Sequence, residues 1–146
     1  MDIKNYEKFV SQCKSRRIDI AAYNDIKILF KFKLNILYVS SYNKRPFKYL
    51  KKIKNRLKIV GSAHNKIEIN EKINQGCDEI IVSRLFKTSK EGFLNISKFN
   101  LLVSGKNNII ALGGINEKNY KKLKLVNIKG YAVLSDLKNY PKYLVV

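Results

Sequence analysis

Small, hydroxyl-bearing and charged residues follow six short apolar runs of the sequence, and their types suit the binding of an anion. Glycines let backbone N–H groups approach a phosphate, hydroxyls donate hydrogen bonds, and lysine balances the charge. The residues concerned are Tyr23 to Asp25, Ser40 and Ser41, Gly61 to His64, Ser83 and Arg84 with Lys87 to Lys90, Gly113 and Gly114, and Ser135 and Asp136. Their combination predicts a phosphate or pyrophosphate site, provided that the fold brings them together.

The apolar runs predict the elements that position these residues. Runs rich in β-branched residues cover 18–22, 36–39, 58–60, 79–82, 109–112 and 131–134, and such runs are typical of buried parallel strands. Segments of helical period lie between them at 26–34, 67–73 and 120–125, and Asn65 followed by Glu68 predicts a capped helix start. This alternation predicts an α/β fold with a parallel sheet, either open or curved into a (β/α) barrel. In both architectures the ligand site lies beyond the carboxyl ends of the strands.

The length and composition fit a single soluble domain over residues 1–146. The chain is 45% hydrophobic and 28% charged, as in ordinary globular domains. No apolar run approaches the roughly 20 residues that span a bilayer, and the amino terminus has no signal pattern, so we expect a cytoplasmic protein without a membrane partner. Cys13 and Cys77 lack metal-ligand spacing and are expected to be small core residues.

The net charge of +19 raises the question of nucleic-acid binding. Lysine is dispersed through nearly every segment, however, which indicates a compositional bias rather than one basic face. In the densest cluster, residues 44–56, Phe47, Leu50 and Ile53 recur at helical spacing and predict an amphipathic helix with a solvated basic side. An anionic small molecule is therefore the expected partner, and nucleic acid is not favoured.

Four motifs in the second half of the chain resemble the thiamine phosphate synthase/TenI superfamily of (β/α)8 barrels. They are carried by "KIVGSAHN" from Lys58, "RLFKTSK" from Arg84, "ALGGI" from Ala111 and "AVLS" from Ala132. A weaker similarity extends upstream through "IAAYNDIKILFKFKLNILYVSS". The resemblance implies a parallel α/β barrel of TIM type that is incomplete, with about six βα units and without the first two strands. A second copy or a partner chain that completes the barrel is one expectation, and a fragment of a longer protein is the other.

The same resemblance implies an activity and a role for each matched residue. The enzyme would join a hydroxymethylpyrimidine pyrophosphate to a thiazole phosphate and release pyrophosphate. Ser62, Thr88, Ser89 and Lys90 would face the pyrophosphate, and the thiazole phosphate would be bound by Gly113, Gly114, Leu134 and Ser135. Lys90 and His64 are the candidate catalytic residues.

Magnesium is the cofactor that the resemblance implies, held in the family by two aspartates. Here the first position falls on Asn24 or Asp25 and the second on Asn43. The family's usual proline after the sixth strand is Arg84, and the following loop is one residue shorter. The chain therefore departs from the family pattern in the metal ligands and in the loop that carries Ser89 and Lys90.

His64, the only histidine, leaves two interpretations open. In the TenI branch a histidine of this motif serves as an acid/base catalyst, and imidazole suits proton transfer near neutral pH. Alternatively, its ring orients the turn by donating to the backbone. Two further functions thus stand beside the synthase: a TenI-like thiazole tautomerase, and a non-catalytic remnant of the fold that binds phosphate ligands or nucleic acid.

Overall fold

A computed structural model describes residues 3–89 and 91–134 of the chain. Six strands form one sheet in chain order, and every neighbouring pair is parallel. They are β1 (Ala21–Tyr23), β2 (Ile36–Val39), β3 (Lys58–Ala63), β4 (Glu79–Ser83), β5 (Ile109–Leu112) and β6 (Gly130–Ala132). Strands added in this order, each after a crossover, build a consecutive portion of a (β/α) barrel. The predicted α/β fold of TIM type with six βα units is confirmed.

Helices precede or connect the strands. They are α1 (Ile3–Ser15), α2 (Ile26–Lys31), α3 (Leu50–Ile53), α4 (Lys66–Asn74) and α5 (Asn95–Leu102), with a 3₁₀ helix at Tyr120–Leu125. Asp25 caps α2 because its carboxylate accepts the Ile28 N–H at 3.0 Å. Asn65 caps α4 in the predicted manner, since its side-chain oxygen accepts the Glu68 N–H at 2.9 Å. These caps fix where each strand-to-helix turn ends.

The two faces of the sheet differ in burial. Alternate residues of a strand point to opposite faces. One set is fully buried under the helices and forms the core: Ala22, Leu37, Val39, Ile59, Ala63, Ile80, Val82, Ile109 and Ala111. The other set, which includes Tyr38, Ser62, Ile81 and Ser83, is partly exposed and lines the inner face of the curved sheet. Gly61 and Ala63 therefore point away from the inner face, towards α4, while Ser62 points into it.

Several predicted elements are shorter in the structure. The predicted helical segment 26–34 is helical only over Ile26–Lys31, and the predicted strand 131–134 is Gly130–Ala132. The sequence predicts a first strand from Ile18, but β1 begins at Ala21 and Ile18 is 53% exposed. Of the predicted basic helix at 44–56, only α3 is helical. Phe47 and Leu50 are buried as expected, whereas Ile53 is 65% exposed. The reason is local: the segment before Leu50 is a loop, and the chain turns extended at Lys54, so the three apolar residues do not share one helix face.

An ion-pair cluster ties the amino-terminal ends of three strands together. The Glu79 carboxylate, only 7% exposed, lies 2.7 Å from Lys58 Nζ and 2.7 Å from Lys129 Nζ. Burial opposes ionisation of Glu79, but the hydrogen bonds from Lys129 and Lys58 outweigh it and hold the pKa of this carboxyl below its ordinary value. The cluster links β3, β4 and the residue before β6 at the end of the sheet opposite the predicted site.

Both cysteines are free and buried, which confirms their predicted place in the core. Burial raises the pKa of the Cys77 thiol to about 11, so it is protonated at neutral pH and unreactive. None of the helices in residues 3–89 and 91–134 has the length and apolar character needed to span a lipid bilayer.

Candidate functional site

A cleft of about 760 Å³ opens beyond the carboxyl ends of β3 to β6. Six of the residues to which the family resemblance assigns a role line it together: His64, Thr88, Ser89, Gly113, Gly114 and Leu134. Ser62 lies on the inner face of β3, two residues before His64, but is not among the lining residues. Lys90 and Ser135 lie outside the described residues. The parallel strands thus bring residues more than 60 positions apart in sequence to one cleft.

The wall of the cleft after β5 is a turn that only glycine can form. Gly113 and Gly114 have φ values of +106° and +67°, in the region that disfavours side chains. A Cβ on Gly114 would lie 2.5 Å from the Lys87 carbonyl oxygen, and one on Gly113 would lie 2.9 Å from Arg84 Cα. The turn therefore packs directly against the loop after β4, and backbone rather than side chains forms this part of the cleft.

Two asparagines bind the carbonyl oxygen of this turn. Asn116 Nδ2 and Asn119 Nδ2 both donate to the Gly114 carbonyl oxygen, at 3.1 and 2.7 Å. Asn119 Oδ1 also accepts the Asn116 N–H at 2.9 Å. The sequence after the glycine pair indicates a helix start at Asn116, whereas in the structure these bonds form a separate turn and the 3₁₀ helix begins only at Tyr120. With two side-chain amides bound to the Gly114 carbonyl oxygen, the orientation of the turn is fixed.

The loop after β4 is closed by Arg84, the residue that replaces the family's usual proline. Its Nε donates to the Gly92 carbonyl at 2.9 Å and its Nη2 to the Glu91 carbonyl at 2.7 Å. The Arg84 carbonyl in turn accepts the Leu94 N–H at 2.9 Å. Lys87, Thr88 and Ser89 of this loop line the cleft. The arginine thus spans the base of the loop, and residues 87–89 bring a lysine and two hydroxyl side chains to the cleft.

His64 is oriented by a carboxylate. Its Nδ1 lies 2.9 Å from Glu68 Oε2, and the same oxygen accepts the His64 backbone N–H at 2.8 Å. Burial opposes ionisation of Glu68, yet the hydrogen bonds from His64 outweigh it and hold the pKa of this carboxyl below its ordinary value. Because an ionised carboxylate only accepts, Nδ1 carries the proton and Nε2 is the acceptor of the neutral ring. Glu68 is identifiable in the sequence as a capping residue, but its contact with the imidazole is not.

The predicted metal positions lie at the carboxyl ends of β1 and β2, where they form a network of amides. Asn24 Oδ1 accepts both the Ser40 N–H and Asn43 Nδ2, each at 3.0 Å, and Asn24 Nδ2 donates to Ser40 Oγ at 2.8 Å. Asn43 Oδ1 accepts the Arg45 N–H at 3.0 Å. We call Asn24, Ser40 and Asn43 the amide cluster. The structure brings Asn24 and Asn43 together, while Asp25 caps α2.

Three tyrosines adjoin the amide cluster: Tyr23, which is among the predicted strand-end residues, and Tyr38 and Tyr42, which were not predicted as part of a site. The Tyr23 and Tyr42 hydroxyls lie 2.6 Å apart, and the Tyr23 ring stacks on Tyr38 with 5.5 Å between centroids. The shared hydrogen bond raises the pKa of Tyr23 and lowers that of Tyr42. Tyr23 and Tyr42 are both exposed, so they form a rim beside the cluster rather than core packing.

Comparison with known proteins gives the family. The family model described as thiamine monophosphate synthase matches residues 3–137. The thiamine-phosphate synthases of Prochlorococcus marinus and Clostridium tetani are 39% and 36% identical to the chain over 99 and 97 residues. These matches cover 62% and 63% of this chain, but only 28% and 46% of those proteins. The chain belongs to the thiamine monophosphate synthase family, and it spans less than half the length of these curated relatives.

Solved structures agree on the fold. The thiamine phosphate pyrophosphorylase of Pyrococcus furiosus superposes with a TM-score of 0.68 at 16% identity, covering 91% of this chain and 68% of that one. The corresponding protein of Bacteroides thetaiotaomicron gives 0.64 at 20% identity, covering 100% and 71%. FabK of Thermotoga maritima gives 0.67 at 15% identity, covering 91% and 49%. At these identities the similarity establishes the barrel architecture alone.

The amide cluster does not fit a magnesium ion. Thiamine phosphate synthases generally depend on Mg²⁺, which prefers carboxylate and water oxygens in octahedral geometry. Here the side-chain oxygens of Asn24 and Asn43 accept backbone or amide N–H groups, and an Asp25 oxygen caps a helix. Among residues 3–89 and 91–134, no group of three or more His, Cys, Asp or Glu side chains is placed to hold a metal. Each amide nitrogen of the cluster carries a second hydrogen besides the one bonded to Ser40 Oγ or Asn24 Oδ1, and an N–H group can bind an anion but not a metal ion.

Proposed function

We propose that the chain acts in the thiamine phosphate synthase reaction, with the cleft beyond β3 to β6 binding the thiazole phosphate. The observation that carries the proposal is the convergence of His64, Thr88, Ser89, Gly113, Gly114 and Leu134 on one cleft in a chain of this family. The substrates of this family are pyrimidine and thiazole phosphates. The cleft supplies what such ligands need: backbone at a glycine turn, hydroxyls and a cation.

In this proposal the reaction is a substitution at carbon. The bond between the pyrimidine methylene carbon and the pyrophosphate oxygen breaks, and its electron pair leaves with the pyrophosphate. The lone pair of the thiazole nitrogen then forms the new carbon–nitrogen bond. Charge accumulates on the leaving oxygen, so donors held in place beforehand lower the barrier. Thr88, Ser89, Lys90 and Ser62 would supply these donors.

The two phosphate-bearing substrates have separate places in the proposal. The Gly113–Gly114 turn, with Leu134 and Ser135, would bind the thiazole phosphate through backbone N–H groups and a hydroxyl. The second N–H of Asn24 Nδ2 and that of Asn43 Nδ2 would face the pyrophosphate, because each amide nitrogen carries two hydrogens. No step of the proposal passes through a metal ion.

The test is release of pyrophosphate from the two substrates together, with either substrate alone as the blank. Thr88→Ala and Ser89→Ala should each slow the release by about tenfold or more, as expected for loss of a donor to developing charge. Ser104→Ala, an exposed serine at the opposite end of the sheet, is the matched control and should leave the rate unchanged. Release that requires only one substrate, or that is insensitive to both variants, would reject the proposal.

A thiazole tautomerase is the second candidate, favoured by the contact between His64 and Glu68. A neutral ring with Nδ1 held by a carboxylate has Nε2 ready to accept a proton from the ligand. His64→Gln keeps a polar side chain but cannot shuttle a proton, so it should abolish tautomer interconversion and leave binding of the thiazole phosphate intact. Interconversion at the wild-type rate in this variant would exclude the tautomerase.

The non-catalytic remnant makes the opposite prediction for both assays. It would bind a phosphate ligand without pyrophosphate release or tautomer interconversion. Binding of RNA or DNA that falls steeply with salt and is not displaced by thiamine phosphate would identify the nucleic-acid form of this alternative.

A further inference from the structure

Lys72 of α4 is fully buried, at 0% exposure. Its aliphatic stem lies against Gly61 of β3, where a Cβ would meet Lys72 Cδ at 2.9 Å and Cys77 Sγ at 2.8 Å. Gly61 therefore makes room for the lysine rather than for a ligand. From the sequence, Gly61 was expected to make room for a ligand, because it belongs to the segment Gly61 to His64 that was grouped with the anion-binding residues.

The Lys72 ammonium is bound by neutral oxygens. Its Nζ donates to the Asn43 carbonyl at 2.8 Å and to Gln75 Oε1 at 2.8 Å. Burial lowers the pKa of Lys72, which is the expected direction for an ammonium taken out of water. An apolar side chain of similar length would fill this space without that cost. The presence of a buried ammonium is thus explained by its hydrogen bonds to Asn43 and Gln75 and not by the need to fill space.

Gln75 extends the same contact along the loop after β2. Its Nε2 donates to the carbonyls of Asn43 and Arg45, at 2.8 and 2.7 Å, and its backbone carbonyl accepts the Phe47 N–H at 3.3 Å. Lys72 and Gln75 together hold three positions of the loop 43–47 from the side of α4. We call these two residues the buried strap.

The strap reaches the amide cluster through one residue. Asn43 receives the strap at its backbone carbonyl, while its side chain donates to Asn24 Oδ1 at 3.0 Å. Asn24 in turn contacts the Ser40 N–H and hydroxyl. A displacement of the Asn43 backbone would therefore move the donor that closes the cluster. This is a contiguous chain of hydrogen bonds from a buried cation to the carboxyl ends of β1 and β2.

We propose that Lys72 is a positioning residue: through the Asn43 carbonyl it holds the loop after β2 so that the amide cluster can bind the pyrophosphate-bearing substrate. The inference rests on the proposed function, and it adds a role for a residue outside the ligand site. It predicts a selective effect, because the glycine turn and the loop after β4 have their own hydrogen bonds and do not depend on the strap.

The test compares two ligands by calorimetry on the whole chain: inorganic pyrophosphate and the thiazole phosphate. Lys72→Met fills the space with an apolar side chain and removes the ammonium. We expect pyrophosphate affinity to fall by about tenfold or more, as for other losses of positioning, and thiazole phosphate affinity to stay within about twofold. Lys66→Met, an exposed lysine on the same helix, is the matched control and should change neither affinity.

Gln75→Glu provides a second variant in case Lys72→Met does not fold. It keeps an oxygen for Lys72 and the size of the side chain, but removes the N–H groups that bind the Asn43 and Arg45 carbonyls. We expect the same selective loss with a smaller amplitude, and faster amide hydrogen exchange in loop 43–47.

The outcomes separate this inference from the proposed function. Unchanged pyrophosphate affinity in a folded Lys72→Met or Gln75→Glu variant overturns the inference alone, and so does an equal loss of both affinities. A wild-type chain that binds neither ligand rejects the proposed function and the inference with it. Selective loss of pyrophosphate binding supports the inference that Lys72 positions the loop after β2.

Discussion

The carboxyl ends of the strands carry two regions that are built differently. Beyond β4 to β6, the cleft is shaped by backbone: the Gly113–Gly114 turn packs on the carbonyl of Lys87 and is held by Asn119. Beyond β1 and β2, the amide cluster is made of side chains that bind one another. The first region depends on backbone geometry, and the second depends on hydrogen-bond partners.

This difference decides how each region should respond to substitution. A backbone-built wall fails when any side chain is added, because positive φ and close contact leave no room. A side-chain network loses one bond at a time and can partly rearrange, and water can take the place of a missing partner. The predictions below use this contrast, beginning with the largest effect.

Gly114→Ala should be the most damaging single change. The added Cβ would meet the Lys87 carbonyl at 2.5 Å and would sit at a φ of +67°. We expect the free energy of unfolding to fall by about 3 kcal/mol or more, measured by urea denaturation.

Gly130→Ala is the matched control, since a Cβ added at Gly130 would have no atom within 4 Å. It should change the stability by less than about 0.5 kcal/mol. Equal losses of stability in Gly114→Ala and Gly130→Ala would show that the glycine turn after β5 tolerates a side chain. The contrast between the backbone-built cleft and the amide cluster would then be wrong.

Asn24→Ala should have an intermediate effect. It removes the hydrogen bonds to Ser40 and Asn43 and places alanine at a φ of +52°, which asparagine tolerates better. We expect a loss of about 2 kcal/mol in the free energy of unfolding together with weaker pyrophosphate binding. Asn107→Ala, at an exposed position before β5, is the control. A loss of thiazole phosphate binding equal to that of pyrophosphate would contradict the separation of the two regions.

The pH-dependent contribution of Glu68 to the free energy of unfolding should be smaller than the effect of Asn24→Ala. Because its folded-state pKa is lowered, the unfolded chain binds the proton more tightly, and stability rises with pH in this window. The contribution is present above the ordinary glutamate value of about 4.3 and is lost as the pH falls through the lower folded-state value. Since Glu68 is partly exposed, Glu68→Gln should remove only about 1 kcal/mol or less.

Chemical denaturation between pH 7 and pH 3 measures this contribution as the difference between wild type and Glu68→Gln. The exposed Glu117→Gln variant is the control and should parallel the wild type. A difference that grows towards low pH would have the wrong sign and would contradict the role assigned to the His64–Glu68 contact.

Removal of magnesium should have the smallest effect. Since the amide cluster offers donors rather than carboxylates, chelation should change the affinity for pyrophosphate by less than about threefold. Asn43→Asp restores a carboxylate and should make the affinity more dependent on Mg²⁺. Wild-type binding that disappears on chelation would show that a metal site exists despite the arrangement of Asn24, Asp25 and Asn43.

The backbone-built region was the more predictable of the two from sequence. Strand periodicity located the end of β5 and placed that of β4 within one residue, whereas β3 runs to Ala63, three residues beyond the predicted strand. Paired glycines indicate a turn without further information. The amide cluster was anticipated only as metal positions, because nothing local shows that Asn43 bonds to Asn24 rather than to an ion. Lys72 was not identified, since a lysine at a helical position is normally exposed, and its burial depends on Gly61 and on a loop about 30 residues away.

The central claim is that the cleft beyond β3 to β6 binds a thiazole phosphate through the glycine turn. The most direct measurement is the change in backbone amide NMR shifts of the isotopically labelled chain on addition of this ligand. The account predicts that the largest changes fall on Gly113 and Gly114, and that they saturate. Changes spread over the surface lysines, or no change at the glycine turn, would contradict it.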